Sequence, residues 1–102
     1  MKNTYFLHLL LTCGKNQGKA LLETADNKQV NSVVNVVYNL TLNSSVLNSH
    51  SKKLLSIHKK LIAKLLTKNK SIKSKYTIIR NNSVELYNLL ISAKNTLLKV
   101  LK

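Results

Sequence analysis

No proline occurs in this chain and its last glycine is Gly18, so the residues that most often interrupt a helix are missing from the rest of the sequence. Leu, Val and Ile recur there at spacings of three and four, which is the period of an amphipathic helix. Hydrophobic residues make up 44% of the chain, which is too many for a disordered basic tail. The sequence therefore predicts an all-α protein, with turns rich in Asn, Ser and Lys.

A single helical domain over residues 1–102 is expected, built as a compact bundle of four to six short helices. The first helix would cover 3–12, an apolar stretch that loosely resembles a signal peptide but is short and interrupted by a histidine. Gly14 and Gly18 would end this helix, and a short second helix would follow at 19–24.

A capping box predicts the start of the third helix. Asp26 is followed three residues later by Gln29, the spacing at which the two side chains can satisfy each other's backbone N–H groups. The face expected to be buried carries Val30, Val33, Val34, Val37 and Thr41.

A Lys-rich amphipathic helix is expected at about 52–67, capped by Ser49 or Ser51. Its apolar arc also contains His58, which we expect to be a buried, hydrogen-bonded histidine. The remaining residues of that arc are Leu54, Leu55, Ile57, Leu61, Ile62, Leu65 and Leu66.

Residues 68–75 are expected to form a basic loop, followed by a helical or extended piece at 76–80. Asn82 with Glu85 is a second capping box, which predicts an apolar C-terminal helix at 83–101. Because more than half of its circumference is apolar, this helix is either central to the core or docks on another protein or a membrane. The residues expected to dock are Leu86, Leu90, Leu97, Leu98 and Leu101.

Positive charge is concentrated in the basic segment, residues 52–80, in a chain of net charge +14 that has only three acidic residues. No Asp or Glu lies between Asp26 and Glu85. Charge of one sign at this density indicates an anionic partner, and DNA bound non-specifically through its phosphates is the first candidate. The residues expected to contact phosphate are Lys52, Lys53, Lys59, Lys60, Lys64, Lys68, Lys70, Lys73, Lys75 and Arg80.

Lysine accounts for nearly all of this charge, and a lysine ammonium offers little of the two-pronged hydrogen bonding by which arginine reads a base. Sequence-specific DNA recognition is therefore disfavoured. Catalysis is not expected either, because no phosphate loop, dinucleotide fingerprint, zinc pattern or nucleophile elbow is present. Cys13 is the only cysteine, the histidines lack metal-ligand spacing, and no cofactor or metal is predicted.

From about Gly18 to Asn82 the order of features resembles the short basic proteins encoded by Polinton (Maverick) elements and their adintovirus relatives. The pieces that carry the resemblance are Lys19-Ala20-Leu21-Leu22, Ala25-Asp26, Asn31, Asn39, Asn43-Ser44-Ser45-Val46-Leu47, the stretch from Ser51 to Leu66, Asn69-Lys70-Ser71-Ile72-Lys73-Ser74-Lys75 and Tyr76-Thr77-Ile78-Ile79-Arg80. Members of that family usually continue with two glycines and a tail rich in Pro and Leu, where this chain has Asn81-Asn82.

This resemblance implies a structural virion protein, located in the virion and, during assembly, in the nucleus or cytoplasm of the host. It would dock on capsid protein or on itself through apolar helices and meet packaged DNA through its lysines. Three alternatives stay open: a cementing protein whose lysines face acidic capsid protein, a free DNA-binding regulator, and a membrane-active amphipathic protein.

Overall fold

The computed structural model describes residues 2–42, 45, 47–67 and 69–100. Every regular element in this part of the chain is a helix, so the all-α prediction is confirmed, but there are eight helices and not four to six. They are α1 (Lys2–Thr12), α2 (Lys15–Glu23), α3 (Asn27–Leu42), α4 (Ser49–Ile57), α5 (Lys59–Leu65), α6 (Ile72–Asn81), α7 (Ser83–Ser92) and α8 (Lys94–Val100).

The predicted Lys-rich helix is two helices, α4 and α5, which meet at His58. The chain turns there, with φ and ψ of −98° and 24°, although the His58 N–H still bonds the Leu54 carbonyl and the Ile62 N–H bonds the His58 carbonyl. His58 is half-buried at this turn, so the prediction of a buried histidine is wrong.

Asn48, and neither of the two predicted serines, caps α4. Its side-chain oxygen accepts a hydrogen bond of 2.8 Å from the Ser51 N–H. Ser51 is fully buried, and its hydroxyl donates to the Ser92 hydroxyl at 3.0 Å. The N-terminal turn of α4 is therefore hydrogen-bonded to the C-terminal end of α7.

The predicted C-terminal helix is also two helices, which meet at Ala93. The Ser92 hydroxyl donates to the Leu89 carbonyl at 2.6 Å, and that carbonyl is the one the Ala93 N–H would use in a continuous α-helix. The Ala93 N–H bonds the Leu90 carbonyl instead, which tightens the turn. Asn48 Nδ2 donates to the Ser92 carbonyl from outside the helix, so a distant residue contacts the chain at this break.

The capping box of α3 is confirmed by both of its hydrogen bonds. The Gln29 N–H donates to Asp26 Oδ1 at 2.8 Å, and the Asp26 N–H donates to Gln29 Oε1 at 3.0 Å. The second predicted box is wrong, because the Asn82 side chain does not cap α7 and its Nδ2 donates back to the Ile78 carbonyl at 2.9 Å.

Ser71 begins α6 inside the predicted basic loop. Its hydroxyl accepts from the Ser74 N–H at 3.1 Å, which satisfies a free donor of the first turn. Lys73 and Lys75 are therefore helical, and the extended alternative for residues 76–80 is excluded because α6 continues through them.

The core is built from α1, α2, α3, α5, α6, α7 and α8, and the predicted valines of α3 are part of it. Its fully buried apolar side chains are Leu10, Leu11, Leu22, Val30, Val33, Val37, Leu65, Ile79, Leu86, Leu89 and Leu90. The α4 helix contributes only half-buried leucines to this core, so it lies at the periphery.

The expected docking residues of the C-terminal segment are corrected by this packing. Leu86, Leu90 and Leu97 are 0%, 1% and 5% exposed, so they are buried in the chain's own core and are not available to capsid protein, a second copy or a membrane. The side chains of Leu98 and Leu101 lie outside the described residues.

Gly18 does not end the first helix but lies inside α2, where this helix packs against α7. A Cβ at Gly18 would overlap Cε1 and Cδ1 of the Tyr87 ring. That ring is buried, and its hydroxyl is anchored by a 3.0 Å hydrogen bond to the Cys13 carbonyl, so it has little room to move. Glycine at position 18 is thus required by a close approach of two helices.

We expect Gly18→Ala to destabilise the protein by about 1–3 kcal/mol, because the added methyl group overpacks the core against Tyr87. Gly14→Ser is the matched control, since nothing lies within 4 Å of a Cβ at Gly14, and serine suits the start of α2. Urea unfolding of both variants measures the difference. Equal stabilities for the two variants would contradict this packing.

Burial raises the pKa of the Tyr87 phenol above its ordinary value of 10.0, and the neighbouring Cys13 adds to the effect. The folded state therefore holds this proton more tightly than the unfolded chain does. The resulting contribution to stability is present in full below pH 10.0 and is lost as the pH rises through the raised folded pKa.

In a series of urea titrations at rising pH, the wild type should accordingly lose stability more steeply above pH 10.0 than Tyr87→Phe, which has no phenol to ionise. At neutral pH, Tyr87→Phe should be less stable by about 1 kcal/mol, because the hydrogen bond to the Cys13 carbonyl is gone. Parallel alkaline slopes for the two proteins would show that Tyr87 does not titrate as described.

Candidate nucleic-acid interface

The three carboxylates of the chain are found where α2 ends and where α3 and α7 begin. Glu23 forms an ion pair of 3.4 Å with Lys19 and accepts a 3.1 Å hydrogen bond from the Ser83 hydroxyl. Asp26 caps α3. Glu85 lies in the first turn of α7, where its negative charge interacts favourably with the helix dipole. Two of the three acids are thus engaged in local contacts, and none belongs to α4, α5 or α6.

The lysines of the basic segment have no such partner. Within the described part of the chain, no carboxylate lies within ion-pair distance of any of them or of Arg80. We define the cationic surface as the described basic side chains of α4, the loop before α6, α5 and α6: Lys52, Lys53, Lys59, Lys60, Lys64, Lys70, Lys73, Lys75 and Arg80. Lys68 lies outside the described residues.

Most of these residues are exposed. Lys70 and Lys75 are the exceptions, and both are half-buried, so their aliphatic stems rest on the protein. Since α5 packs against α6 and follows directly on α4, the three helices form one continuous part of the molecule. Basic residues are therefore found on three adjoining helices.

The exposed face of α5 contains only point charges and small side chains. Lys60 and Lys64 lie one turn apart on it, with Ala63 between them and Thr67 just beyond the helix. None of these side chains can make the bidentate contact that identifies a base. This face can contact phosphate groups but cannot read a sequence.

Arg80 is held differently from the lysines. Its guanidinium lies 5.7 Å from the centroid of the Tyr76 ring, within the range of a cation–π interaction. The Tyr76 hydroxyl donates to the Glu23 carbonyl, so the ring that supports Arg80 is itself fixed to the end of α2. Arg80 is therefore more restricted than a surface lysine, while its charge stays exposed.

Lys52 and Lys59 line one depression between the end of α3 and the α4–α5 turn. Its volume is about 420 Å³, and its other lining residues are Thr41, Leu55 and Ser56. The two lysines belong to different helices, because the chain turns at His58 between them, yet both line this depression. We call this depression the α3–α4 groove.

Sequence reasoning missed the contribution of α3 to this groove. The sequence predicts Thr41 on the buried face of its helix, yet Thr41 is half-buried and lines the groove. Tyr38 and Leu42 lie beside it and are 51% and 62% exposed. Their signal in the sequence is their position off the valine stripe, but nothing local indicates that Thr41 shares a depression with residues of α4 and α5.

The described residues contain no group of three or more His, Cys, Asp or Glu side chains that could hold a metal ion. His8 and His50 are exposed, and Cys13 is half-buried with its thiol 3.5 Å from the Leu10 carbonyl. Among the described helices, none combines the length and the apolar character needed to cross a bilayer.

No family model, no curated protein and no solved structure matches this chain. The resemblance to proteins of Polinton elements therefore stays a prediction that rests on the residues quoted for it. The fold and the distribution of charge are the observations from which a function has to be argued.

Proposed function

We propose that this protein binds nucleic acid without sequence preference, through phosphate contacts made by the cationic surface. The observation that supports this most is the exposure of that surface with no carboxylate of the described residues near enough to neutralise it. Each phosphate contacted by a lysine releases a condensed counterion, which gives binding that is strong at low salt and weakens steeply with added salt.

A sequence-reading regulator receives less support. Such a protein places a helix with Arg, Asn or Gln side chains over base edges. In this chain the exposed face of α5 has only Lys, Ala and Thr. The Arg80 guanidinium makes a cation–π contact with the Tyr76 ring. The membrane-active alternative also loses its basis, because Leu86, Leu90 and Leu97 are buried.

The resemblance to proteins of Polinton elements implies that this binding takes place in the virion and that the nucleic acid is packaged DNA. The apolar residues expected to dock on capsid protein are buried, so a capsid contact would have to use another surface. If the protein belongs to the virion, it should co-purify with capsid subunits and not with free nucleic acid.

A cementing protein that never meets DNA is the remaining alternative, because acidic capsid protein would also satisfy the lysines. The two are separated by their ligands. Binding to a duplex that is far tighter than binding to an acidic polypeptide of equal charge supports the nucleic-acid proposal, and the opposite order supports cementing.

The proposed function predicts equal affinity for duplexes of different sequence and a strong dependence on salt. With five to eight phosphates contacted, the plot of log K against log salt should have a slope of roughly −4 to −7. Fluorescence anisotropy with labelled duplexes measures both quantities. A slope near zero would remove any role in nucleic-acid binding.

Charge-matched variants test whether the cationic surface carries the binding. Replacing Lys60, Lys64 and Lys73 by Gln should make the slope shallower by about 2 to 3, since each lysine lost removes about one phosphate contact. Replacing Lys15, Lys28 and Lys94 by Gln removes the same charge from α2, α3 and α8 and should change the slope by less than about 1.

Both triple variants keep the core intact, because these lysines are exposed or half-buried. An equal loss of affinity in the two variants would mean that net charge alone governs binding. In that case the cationic surface would not be the interface.

A further inference from the structure

We propose that the α3–α4 groove binds single-stranded nucleic acid, with an unpaired base stacked on Tyr38 and the strand's phosphates at Lys52 and Lys59. This inference rests on the proposed function and deepens it, because it names the form of nucleic acid that the protein prefers. It starts from the exposed aromatic side chain at the end of α3 that neither the core nor the phosphate contacts use.

Tyr38 lies one helical turn before Thr41, which lines the groove. Both residues lie in α3, which extends to Leu42, and the Thr41 hydroxyl donates to the Tyr38 carbonyl at 2.7 Å. Residues three apart on a helix have Cβ atoms about 5–6 Å from each other. The ring of Tyr38, which is 51% exposed, is therefore within reach of the groove mouth.

Both lysines of the groove are exposed, and one strand can contact both because they line the same depression. Thr41, at the end of α3, lines it with them. A strand that places phosphates at Lys52 and Lys59 would therefore lie beside the end of α3, where Tyr38 is found.

The chemistry of the site favours an unpaired strand over a duplex. A tyrosine ring can stack on the face of a base only when that face is free, and a duplex covers the faces of its bases. Grooves that bind single strands without sequence preference combine positive charge along the backbone with an aromatic platform for the bases. Tyr38, Lys52 and Lys59 supply these parts, and Leu42 adds an apolar surface 62% exposed beside the ring.

A second exposed tyrosine provides the internal control. Tyr5 is 73% exposed, but it lies on α1, which packs against α2, α3 and α8 and carries no residue of the cationic surface. If exposure of an aromatic ring were enough for binding, Tyr5 would serve as well as Tyr38. The proposal requires the aromatic ring and the two lysines together.

The test compares oligo-dT with a duplex that has the same number of phosphates, at one salt concentration. Tyr38→Ala should weaken binding of oligo-dT by about five- to one-hundred-fold, the usual effect of losing one base–aromatic stack, and should change duplex affinity by less than about twofold. Tyr38→Phe keeps the ring and should bind oligo-dT as the wild type does. Tyr5→Ala should leave both affinities unchanged.

Two further readouts are independent of affinity alone. The chain has no Trp, so its emission comes from tyrosine, and oligo-dT should quench less of that emission in Tyr38→Phe than in the wild type. Lys52→Gln with Lys59→Gln should make the salt slope for oligo-dT shallower by about 1.4, because each phosphate contact on a single strand contributes about 0.7. Because Tyr38 is half-exposed, Tyr38→Ala should keep the wild-type helix content, which circular dichroism checks.

The outcomes separate this inference from the proposed function. Salt-dependent duplex binding with no selective effect of Tyr38→Ala on oligo-dT would overturn the groove proposal alone. Equal losses for oligo-dT and duplex in Tyr38→Ala would do the same. The absence of salt-dependent binding to either nucleic acid would overturn both proposals.

Discussion

Charge repulsion within the chain is the constraint under which the rest of this structure folds. A net charge of +14 on a body of 32 × 27 × 24 Å favours expansion, and only three carboxylates are available to oppose it. Two of these are engaged in local contacts, in which Glu23 pairs with Lys19 and Asp26 caps α3. Stability therefore comes mainly from apolar packing and from hydrogen bonds, one of which joins the Ser83 hydroxyl to the Glu23 carboxylate. The tight approach of α2 to α7 at Gly18 and the burial of Leu86, Leu89 and Leu90 supply this packing, so these leucines are not left for a partner.

Hydroxyl groups make several of the long-range polar contacts that tie the helices together. Tyr76 reaches the Glu23 carbonyl, Tyr87 reaches the Cys13 carbonyl, and Ser51 reaches Ser92. Each of these bonds joins a helix of the second half of the fold to an element elsewhere in the chain, and none adds a charge or weakens in salt as an ion pair does. Among the described residues, no buried side-chain nitrogen or oxygen lacks a hydrogen-bond partner. The ammonium groups of the described lysines in α4, α5 and α6 form no ion pair within the described residues, so their charge stays available at the surface.

Local signals in the sequence were sufficient for the elements that depend on local physics. The box formed by Asp26 and Gln29 and the valine face of α3 were predictable, because a cap and a helical period involve residues within a few positions of each other. The break at Ala93 was not, since the contacts found there include a hydrogen bond from Asn48 that forms only in the folded chain. For the same reason the basic residues of the candidate site could be named from composition, whereas the groove, in which Lys52 and Lys59 meet the end of α3, required the tertiary structure.

The account is tested most directly by urea unfolding at about 0.01 M and about 0.1 M NaCl, where the Debye length falls from about 30 Å, the size of the molecule, to about 10 Å. Without a ligand, the free energy of unfolding should rise with salt, because screening relieves the repulsion among unpaired lysines. With a saturating oligonucleotide the trend should reverse, because the bound polyanion stabilises the folded state most at the lower salt concentration, where it binds most tightly. Stability that does not change with salt in the absence of ligand, or a salt trend that the oligonucleotide leaves unaltered, would contradict the account.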